Sequence, residues 1–336
     1  MIIGYFADGP WSHGVLDKLL LKTHLKIGFI CVRYDHQDSI LKAKAKKNNI
    51  PILTSANINN DKFINDIGKY SCDLFVSMSF NQIFKKKMIE TPPLGIINCH
   101  AGKLPFYRGR NILNWALIND ESEFGITVHY IDEGIDTGDI ILQKCYAIND
   151  NDNYNTLLQK AYSGCEELLN QSIDNIYKGI AERVLQSSID PLGFYCSKRK
   201  IGDEKLNWYQ SSRQIFNFVR AICPPGPCAR CYVGNKEILV KKVDYFPNAF
   251  NYMGKPGTIL AKNSKGLLVK TLDSFVQLVD WTSDIKLKVG DYVVVSFYKM
   301  FLTCWMSGVS FYNGFLTYWI SEVSFYNVLL TYLIKK

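Results

Sequence analysis

The chain has 336 residues, of which 47% are apolar and 21% are charged. It can therefore bury a core, and it is neither a disordered nor a collagen-like polymer. Its formal net charge of +8 is modest for this length and is not gathered into long basic runs, so a small anionic ligand fits better than bulk attraction to nucleic acid. The N-terminus lacks the basic region of a signal peptide, and we expect a cytoplasmic protein.

The first half alternates short β-rich runs with amphipathic stretches, which is typical of a parallel sheet with crossover helices. Strands are predicted over 2–6, 27–32, 51–53, 74–78 and 95–99. A lysine-rich helix is expected over 38–49, and the apolar stripe over 153–180 predicts a helix long enough to close a domain. The Pro- and Gly-containing break at 187–193 predicts a linker, so the first domain spans 1–188.

After the linker, the pattern predicts a helix and then several short strands separated by Gly and Pro. The helix is expected over 212–221, and the strands over 237–243, 257–261, 266–271, 276–281 and 292–295. This favours an antiparallel sheet or small barrel as a second domain over 194–295. Three cysteines, Cys223, Cys228 and Cys231, are spaced like metal ligands. A site would need a fourth ligand, and no histidine is near in sequence, since all five lie within the first 129 residues. No metal site is predicted.

The last segment, residues 296–336, is a 14-residue tandem repeat that contains 12 aromatic residues. Its stretch from 300 to 321 is uncharged and long enough to span a membrane. Polar residues and glycine recur throughout the stretch, which favours a β-hairpin or an aromatic extension over membrane association.

The first candidate catalytic residues lie at the end of the strand predicted over 95–99. Asn98 and His100 are two residues apart, so both side chains face the same side, at the carboxyl edge where open α/β sheets bind ligands. An amide beside an imidazole suits acyl transfer, in which one group binds the oxyanion and the other moves a proton. The alternative is that Asn98 only caps a turn and His100 is a buried, hydrogen-bonded histidine.

An acidic, glycine-bearing loop over 132–139 follows another strand, and one of its carboxylates could orient an imidazole. Such a loop is more often only a turn. Its pairing with the first motif is what favours a catalytic function.

With both motifs in view, the chain resembles the formyltransferases that use N10-formyltetrahydrofolate, among them methionyl-tRNA, glycinamide ribonucleotide and sugar N-formyltransferases. The matching residues are Asn98, His100, Leu104, Pro105 and 136–139, and the resemblance continues through 207–208, 220–221, 225–227 and 255–260. It covers about residues 1–295. It implies an α/β fold with a Rossmann-like catalytic domain and a mostly parallel sheet, a small OB-like β domain, no metal, and a homodimer.

The resemblance assigns Asn98, His100 and Asp136 as the catalytic triad. A neutral amine attacks the formyl carbon, Asn98 and His100 stabilise the oxyanion, and His100, held by Asp136, takes the amine proton. The formyl donor, N10-formyltetrahydrofolate, is expected to contact two segments, represented by Phe80, Asn81, Gln82, Ile83, Tyr130, Asp132 and Gly134.

The molecule that accepts the formyl group is predicted from smaller sequence differences between this chain and the branches of the family. The tRNA enzymes carry a longer basic insertion after the second strand, whereas here residues 32–51 form a compact helix, and residues 102–111 are similar to the enzymes of dTDP-linked amino-dideoxysugars. A pyrophosphate needs cations and a nucleobase needs an aromatic face, and candidates are Trp11, Lys103, Tyr107, Arg108 and Arg110. The alternative is that Tyr107 and Arg108 only lock the loop.

The leading prediction is a sugar N-formyltransferase that acts on a dTDP-linked 3-amino- or 4-amino-dideoxyhexose for surface polysaccharide, with no nucleic-acid partner. The alternative enzyme is methionyl-tRNA formyltransferase. A third hypothesis, a degenerate scaffolding protein that associates through its aromatic tail, is disfavoured by the intact Asn98, His100 and Asp136.

Overall fold

The computed structural model describes residues 1–295, and the predicted repeat over 296–336 lies outside the described residues. The first part of the chain forms these elements: β1 Ile2–Ala7, α1 Pro10–Leu20, β2 Lys26–Cys31, α2 Ser39–Lys47, β3 Ile52–Leu53, α3 Asp61–Gly68, β4 Leu74–Met78, α4 Lys86–Ile89, β5 Ile96–His100, β6 Arg108–Gly109, α5 Ile112–Ile118, β7 Glu123–Tyr130, β8 Ile140–Ala147 and α6 Tyr154–Tyr177.

A seven-stranded sheet with the order β3-β2-β1-β4-β5-β7-β8 organises this part. Strands β1 to β5 pair in parallel, whereas β7 runs antiparallel to β5 and β8 antiparallel to β7. The predicted α/β class with a mostly parallel sheet is confirmed. The antiparallel direction of β7 was not predicted. It pairs Tyr130, the last residue of β7, with Ile97 near the start of β5, and the acidic loop follows from there to β8.

Local sequence explains the ends and the packing of several elements. Asp38 accepts a hydrogen bond from a backbone N–H in the first turn of α2, and Asn153 forms a capping box at the start of α6. On one face of the sheet Phe6 packs edge-to-face against Phe29 and Phe75. Gly4 makes room for these rings, since a Cβ there would lie 2.6 Å from Phe29.

The remaining elements are α7 Gln186–Ile189, β9 Tyr195–Cys196, α8 Ser212–Ile222, β10 Ala229–Val233, β11 Lys236–Asp244, β12 Ile259–Asn263, β13 Gly266–Lys270 and β14 Phe275–Ser283. Five of the strands form an antiparallel sheet with the order β10-β11-β14-β13-β12. The predicted strand over 292–295 makes only bridges, which join Val294 to Tyr232 and Tyr292 to Thr258. Together with the hydrogen bond from Gly290 N–H to the carbonyl of Ile259 in β12, these bridges connect the two edges of the sheet and close it into a small barrel, which agrees with the predicted β domain.

The segment after the predicted linker still contacts the first domain, because β9 pairs in parallel with β6. Between the domains, α5 packs on α8 and Asn114 donates a hydrogen bond to the carbonyl of Ala221. Arg220, buried on α8, donates to the carbonyls of Asn149 and Asp152. The packing on α8 and the Asn114 hydrogen bond tie α5, whose first turn lines a cleft at the edge of the large sheet, to the second domain.

Two further findings concern the described residues alone. No helix in this part of the chain is both long and apolar enough to cross a bilayer. Within residues 1–295, no three His, Cys, Asp or Glu side chains lie together as metal ligands would, and Cys231 lies on β10 in the core.

Candidate active site

A cleft of about 750 Å³ lies at the carboxyl edge of the parallel strands. Its walls come from the segments that follow β1, β4 and β5, and from the loop between β7 and β8. This is the edge at which open α/β sheets bind their ligands, because the chain leaves the sheet there in loops. Asn98, His100 and Asp136 all line the cleft, so the structure brings the predicted triad together.

The imidazole of His100 is held by the backbone rather than by a side chain. Its Nε2 lies 2.7 Å from the carbonyl oxygen of Tyr107, and a carbonyl can only accept, so Nε2 carries a proton. In the neutral ring Nδ1 is then the free base. Gly102 makes this contact fit, since a Cβ there would lie 2.5 Å from both His100 Nε2 and the Tyr107 carbonyl oxygen.

Asp136 lies at a left-handed backbone position (φ 55°), which a short polar residue tolerates. Its Oδ2 accepts a hydrogen bond from the backbone N–H of Gly109 at 2.9 Å and lies 3.7 Å from His100 Nδ1. Burial alone would raise the pKa of Asp136, but the neighbouring His100, together with the Gly109 N–H, holds it well below its usual range. The carboxylate is therefore ionised beside the imidazole.

Burial has the opposite consequence for His100. It lowers the pKa of the imidazole below its ordinary value, and the Asp136 carboxylate offsets only part of this effect. At neutral pH the ring is therefore uncharged, as a general base must be. Asp136 is in place to stabilise the imidazolium once His100 takes a proton.

Sequence reasoning missed His129, whose side chain lies between Asn98 and Asp136. Its Nε2 lies 3.3 Å from Asn98 Nδ2 and 3.6 Å from Asp136 Oδ1. The signal was available, because His129 stands in the strand that leads into the acidic loop. Only the antiparallel pairing of that strand with β5 reveals its neighbours.

The residues predicted to bind the donor fall into two groups. Those that line the cleft are Phe80, Asn81, Gln82, Ile83, Asp132 and Gly134. The side chain of Gln82 is tied to the backbone of Ile58 and Ser55, so it offers the cleft little hydrogen-bonding capacity. Tyr130 is not among the lining residues, because its ring packs under the guanidinium of Arg183 at 3.8 Å.

Two exposed isoleucines give the cleft apolar surface. Ile83 and Ile135 are 63% and 52% exposed, and they line the cleft from the two segments that were predicted to hold the donor. Exposed isoleucines are apolar surface that a bound ring would cover. Ile135 is a second lining residue that sequence reasoning missed.

Of the five residues predicted to bind the acceptor, Trp11 and Arg110 line the cleft, and Trp11 packs edge-to-face on Tyr162. The other three predicted residues do not line this cleft. Lys103 and Tyr107 line a separate cavity of about 420 Å³, where Lys103 pairs with Glu123 at 2.6 Å.

Tyr107 and Arg108 instead hold the loops around the site. The Tyr107 hydroxyl donates to Glu121 at 2.5 Å, which anchors the residue whose carbonyl holds His100. Arg108 donates to the side chain of Gln186, which in turn donates to the carbonyl oxygens of Asp136 and Gly138 at 2.8 Å. The alternative interpretation, that these two residues lock the loop, describes what the structure shows.

Comparison with known proteins places this chain in a family. A family model described as formyl transferase matches residues 20–173, and one described as formyl transferase, C-terminal domain, matches residues 199–289. Methionyl-tRNA formyltransferase of Halothermothrix orenii is 37% identical over 248 residues, which are 71% of this chain and 76% of that protein. The chain belongs to the formyl transferase family.

Two solved structures share the fold. WlaRD, a sugar 3N-formyl transferase crystallised with dTDP and 5-N-formyl-THF, has a TM-score of 0.62 at 24% identity, covering 85% of this chain and 99% of that one. The N-formyltransferase of Helicobacter canadensis, in complex with folinic acid and dTDP-3-aminofucose, has a TM-score of 0.60 at 22% identity, covering 84% and 99%.

The family membership confirms the enzyme class expected from the sequence, an N-formyltransferase with N10-formyltetrahydrofolate as its donor. The identity of the acceptor is a finer question. Sequence identity is higher to an enzyme that acts on tRNA, whereas the two solved structures are sugar enzymes or bind an amino sugar nucleotide.

Proposed function

We propose that this formyltransferase acts on a 3-amino- or 4-amino-dideoxyhexose linked to dTDP. The observation that carries the proposal is a pair of cations, Arg110 and Lys198, at the wall of the cleft. Their segments adjoin, because the backbone N–H of Arg110 donates to the carbonyl of Cys196. No carboxylate of residues 1–295 lies within 4 Å of either cation, so both are available to a pyrophosphate.

An aromatic ring accompanies these cations. Tyr195 lines the cleft and is 57% exposed, and the guanidinium of Arg108 lies 5.4 Å from the centre of its ring. Trp11 adds a second ring at the wall of the same cleft. Two cations and two rings around one opening suit a nucleoside diphosphate, whose base stacks while its phosphates pair.

The transfer itself follows from the three polar groups of the site. The donor supplies an activated formyl group; the acceptor nitrogen forms the new bond to its carbon, and the bond from that carbon to N10 breaks. Asn98 donates a hydrogen bond to the developing oxyanion. His100 takes the amine proton on Nδ1, where Asp136 stabilises the positive ring, and then delivers that proton to the departing nitrogen.

Methionyl-tRNA formyltransferase is the second candidate, and the 37% identity to such an enzyme favours it. A tRNA acceptor predicts affinity that falls steeply with salt, since many phosphates would be contacted. The compact α2 between β2 and β3 has only 9 residues and leaves little room for a basic insertion at that point. This supports a sugar nucleotide as the acceptor. Homodimerisation stays a prediction.

The deciding experiment gives the full chain N10-formyltetrahydrofolate with dTDP-linked 3-amino and 4-amino sugars, and in parallel with initiator methionyl-tRNA. Formylation is read as the mass gained by each acceptor. We expect at least one sugar nucleotide to be formylated and the tRNA to be unchanged. Formylated tRNA together with unmodified sugars would overturn the proposal in favour of the second candidate.

Variants test the two cations directly. Arg110→Ala and Lys198→Ala should each raise the KM for the sugar nucleotide about tenfold or more, because each removes a charge-assisted contact to the pyrophosphate. The same amino sugar without the nucleotide should react equally well with the variants and the wild type. Lys103→Ala is the matched control, since Lys103 is an exposed cation outside the cleft, and its KM should not change.

A further inference from the structure

Asn98 and His129 stand directly opposite each other on the antiparallel strands β5 and β7. Side chains of a directly opposed pair project from the same face of the sheet and lie within contact distance. Here Asn98 Nδ2 lies 3.3 Å from His129 Nε2. The imidazole is 2% exposed, so the amide is one of very few polar groups that it can contact.

The backbone determines which nitrogen of His129 carries the proton. Nδ1 lies 2.7 Å from the carbonyl oxygen of Tyr130, and since a carbonyl only accepts, Nδ1 must donate. In the neutral ring, Nε2 therefore has a lone pair and accepts from the Asn98 amide. The charged and titratable groups that face this ring are Asp136, with Oδ1 at 3.6 Å from Nε2, and His100 beyond it.

We propose that His129 is a positioning residue, whose Nε2 accepts from the Asn98 amide and so fixes it with its nitrogen, and not its oxygen, as the oxyanion donor. The inference rests on the proposed role of Asn98. An amide that turned by 180° about its last bond would present Oδ1 in place of N–H groups. Asn98 Oδ1 and the oxyanion would then face and repel each other, and the oxyanion would lose its hydrogen-bond donor.

The size of the effect has an upper limit. Removal of one oxyanion donor typically lowers kcat by about 10²- to 10³-fold. Without His129, the Asn98 amide would still present its nitrogen to the oxyanion for part of the time. We therefore expect a loss of about 10- to 100-fold in kcat, with binding of both substrates little changed.

The first test is spectroscopic and does not depend on activity. The full chain, labelled with 15N in its histidines, is examined by NMR, and His129 is assigned from the resonances missing in His129→Gln. We expect a protonated Nδ1 and an unprotonated Nε2, and an Nε2 shift that moves in Asn98→Ala but not in Glu133→Gln. Glu133 is exposed and does not line the cleft. Protonated Nε2 would overturn the proposal.

The second test compares two replacements. His129→Leu has no acceptor, whereas His129→Gln keeps a side-chain oxygen that can accept from Asn98. We expect the Leu variant to lose about 10- to 100-fold in kcat with KM within about threefold, and the Gln variant to stay within about fivefold of the wild type. Equal losses in both variants, with KM rising alongside, would assign His129 a structural role only and overturn the inference.

Two further outcomes are separable. If His129→Leu does not fold, which thermal unfolding reveals, the NMR result on the wild type and Asn98→Ala decides the inference alone. Near-normal activity of Asn98→Ala would instead refute the proposed role of Asn98. That result would leave the tautomer of His129 as measured, so failure of the proposed function and failure of this inference are distinguishable.

Discussion

The charge of Asp136 is expected to contribute several kcal/mol to catalysis, and Asp136→Asn isolates that contribution. Asparagine has nearly the same shape, tolerates the left-handed backbone of residue 136, and keeps an oxygen to accept from the Gly109 N–H. The substitution therefore removes the charge and leaves the loop in place. What changes is the stabilisation of the imidazolium that forms when His100 takes the amine proton.

The geometry sets the size of this effect. His100 Nδ1 and Asp136 Oδ2 are 3.7 Å apart, and at an effective dielectric constant of about 20 two unit charges at this distance attract by about 4 kcal/mol. An imidazolium that forms without this partner is less stable by that amount, which corresponds to about 10³-fold in kcat. Steady-state formyl transfer with saturating donor and acceptor measures it.

Glu133→Gln is the matched control for this prediction, because it removes the same charge from an exposed position in the same loop, outside the cleft. We expect it to stay within about twofold of the wild type, since an exposed charge is screened by solvent. If Asp136→Asn keeps its fold and its kcat lies within tenfold of the control, the carboxylate does not stabilise a charged His100, and proton transfer from the amine to this imidazole is refuted.

Three other predictions concern the same histidine and its supports. Burial lowers the pKa of His100 and the base must be neutral, so kcat/KM of the wild type should stay constant as the pH falls through ~6.5, the ordinary pKa of histidine, and should decrease only at lower pH. In Asp136→Asn the decrease should begin at a still lower pH, because the anion that favours the protonated ring is gone. Tyr107→Phe removes the hydroxyl bond to Glu121 and should lower the free energy of unfolding by about 1.5–3 kcal/mol in a urea titration. Gly102→Ala inserts a methyl group 2.5 Å from His100 Nε2 and should cost about 100-fold in kcat, whereas Gly68→Ala, with open space around its Cβ, should not change the rate.

The pattern of apolar residues was sufficient to predict most strands of the N-terminal sheet. Buried parallel strands are continuous apolar runs, and β4 was predicted with the bounds that the structure has, Leu74–Met78. Helix α6 was also predictable, because Asn153 caps an apolar stripe of helical period. Such features depend on residues close together in sequence.

Features that depend on pairing between distant segments were not predictable in the same way. The reversal of β7 against β5 is a choice of strand direction, and alternation of side chains is the same in either direction. The bridges of Val294 and Tyr292 to two different edge strands likewise appear only when the barrel has closed. The same limitation applied to Lys103, a cation that looked free in the sequence and is paired with Glu123 across the fold.

The residue types and spacing of Asn98, His100 and the acidic loop indicated acyl-transfer chemistry, and the family resemblance assigned these residues their predicted roles. How these groups are held depends on contacts that only the folded chain makes. The carbonyl of Tyr107 selects the tautomer of His100, Gln186 ties the loop of Asp136, and His129 reaches Asn98 from the opposite strand. Each of these contacts joins separate segments of the chain, and hydrogen-bond direction at a ring nitrogen is set by what lies beside it in space.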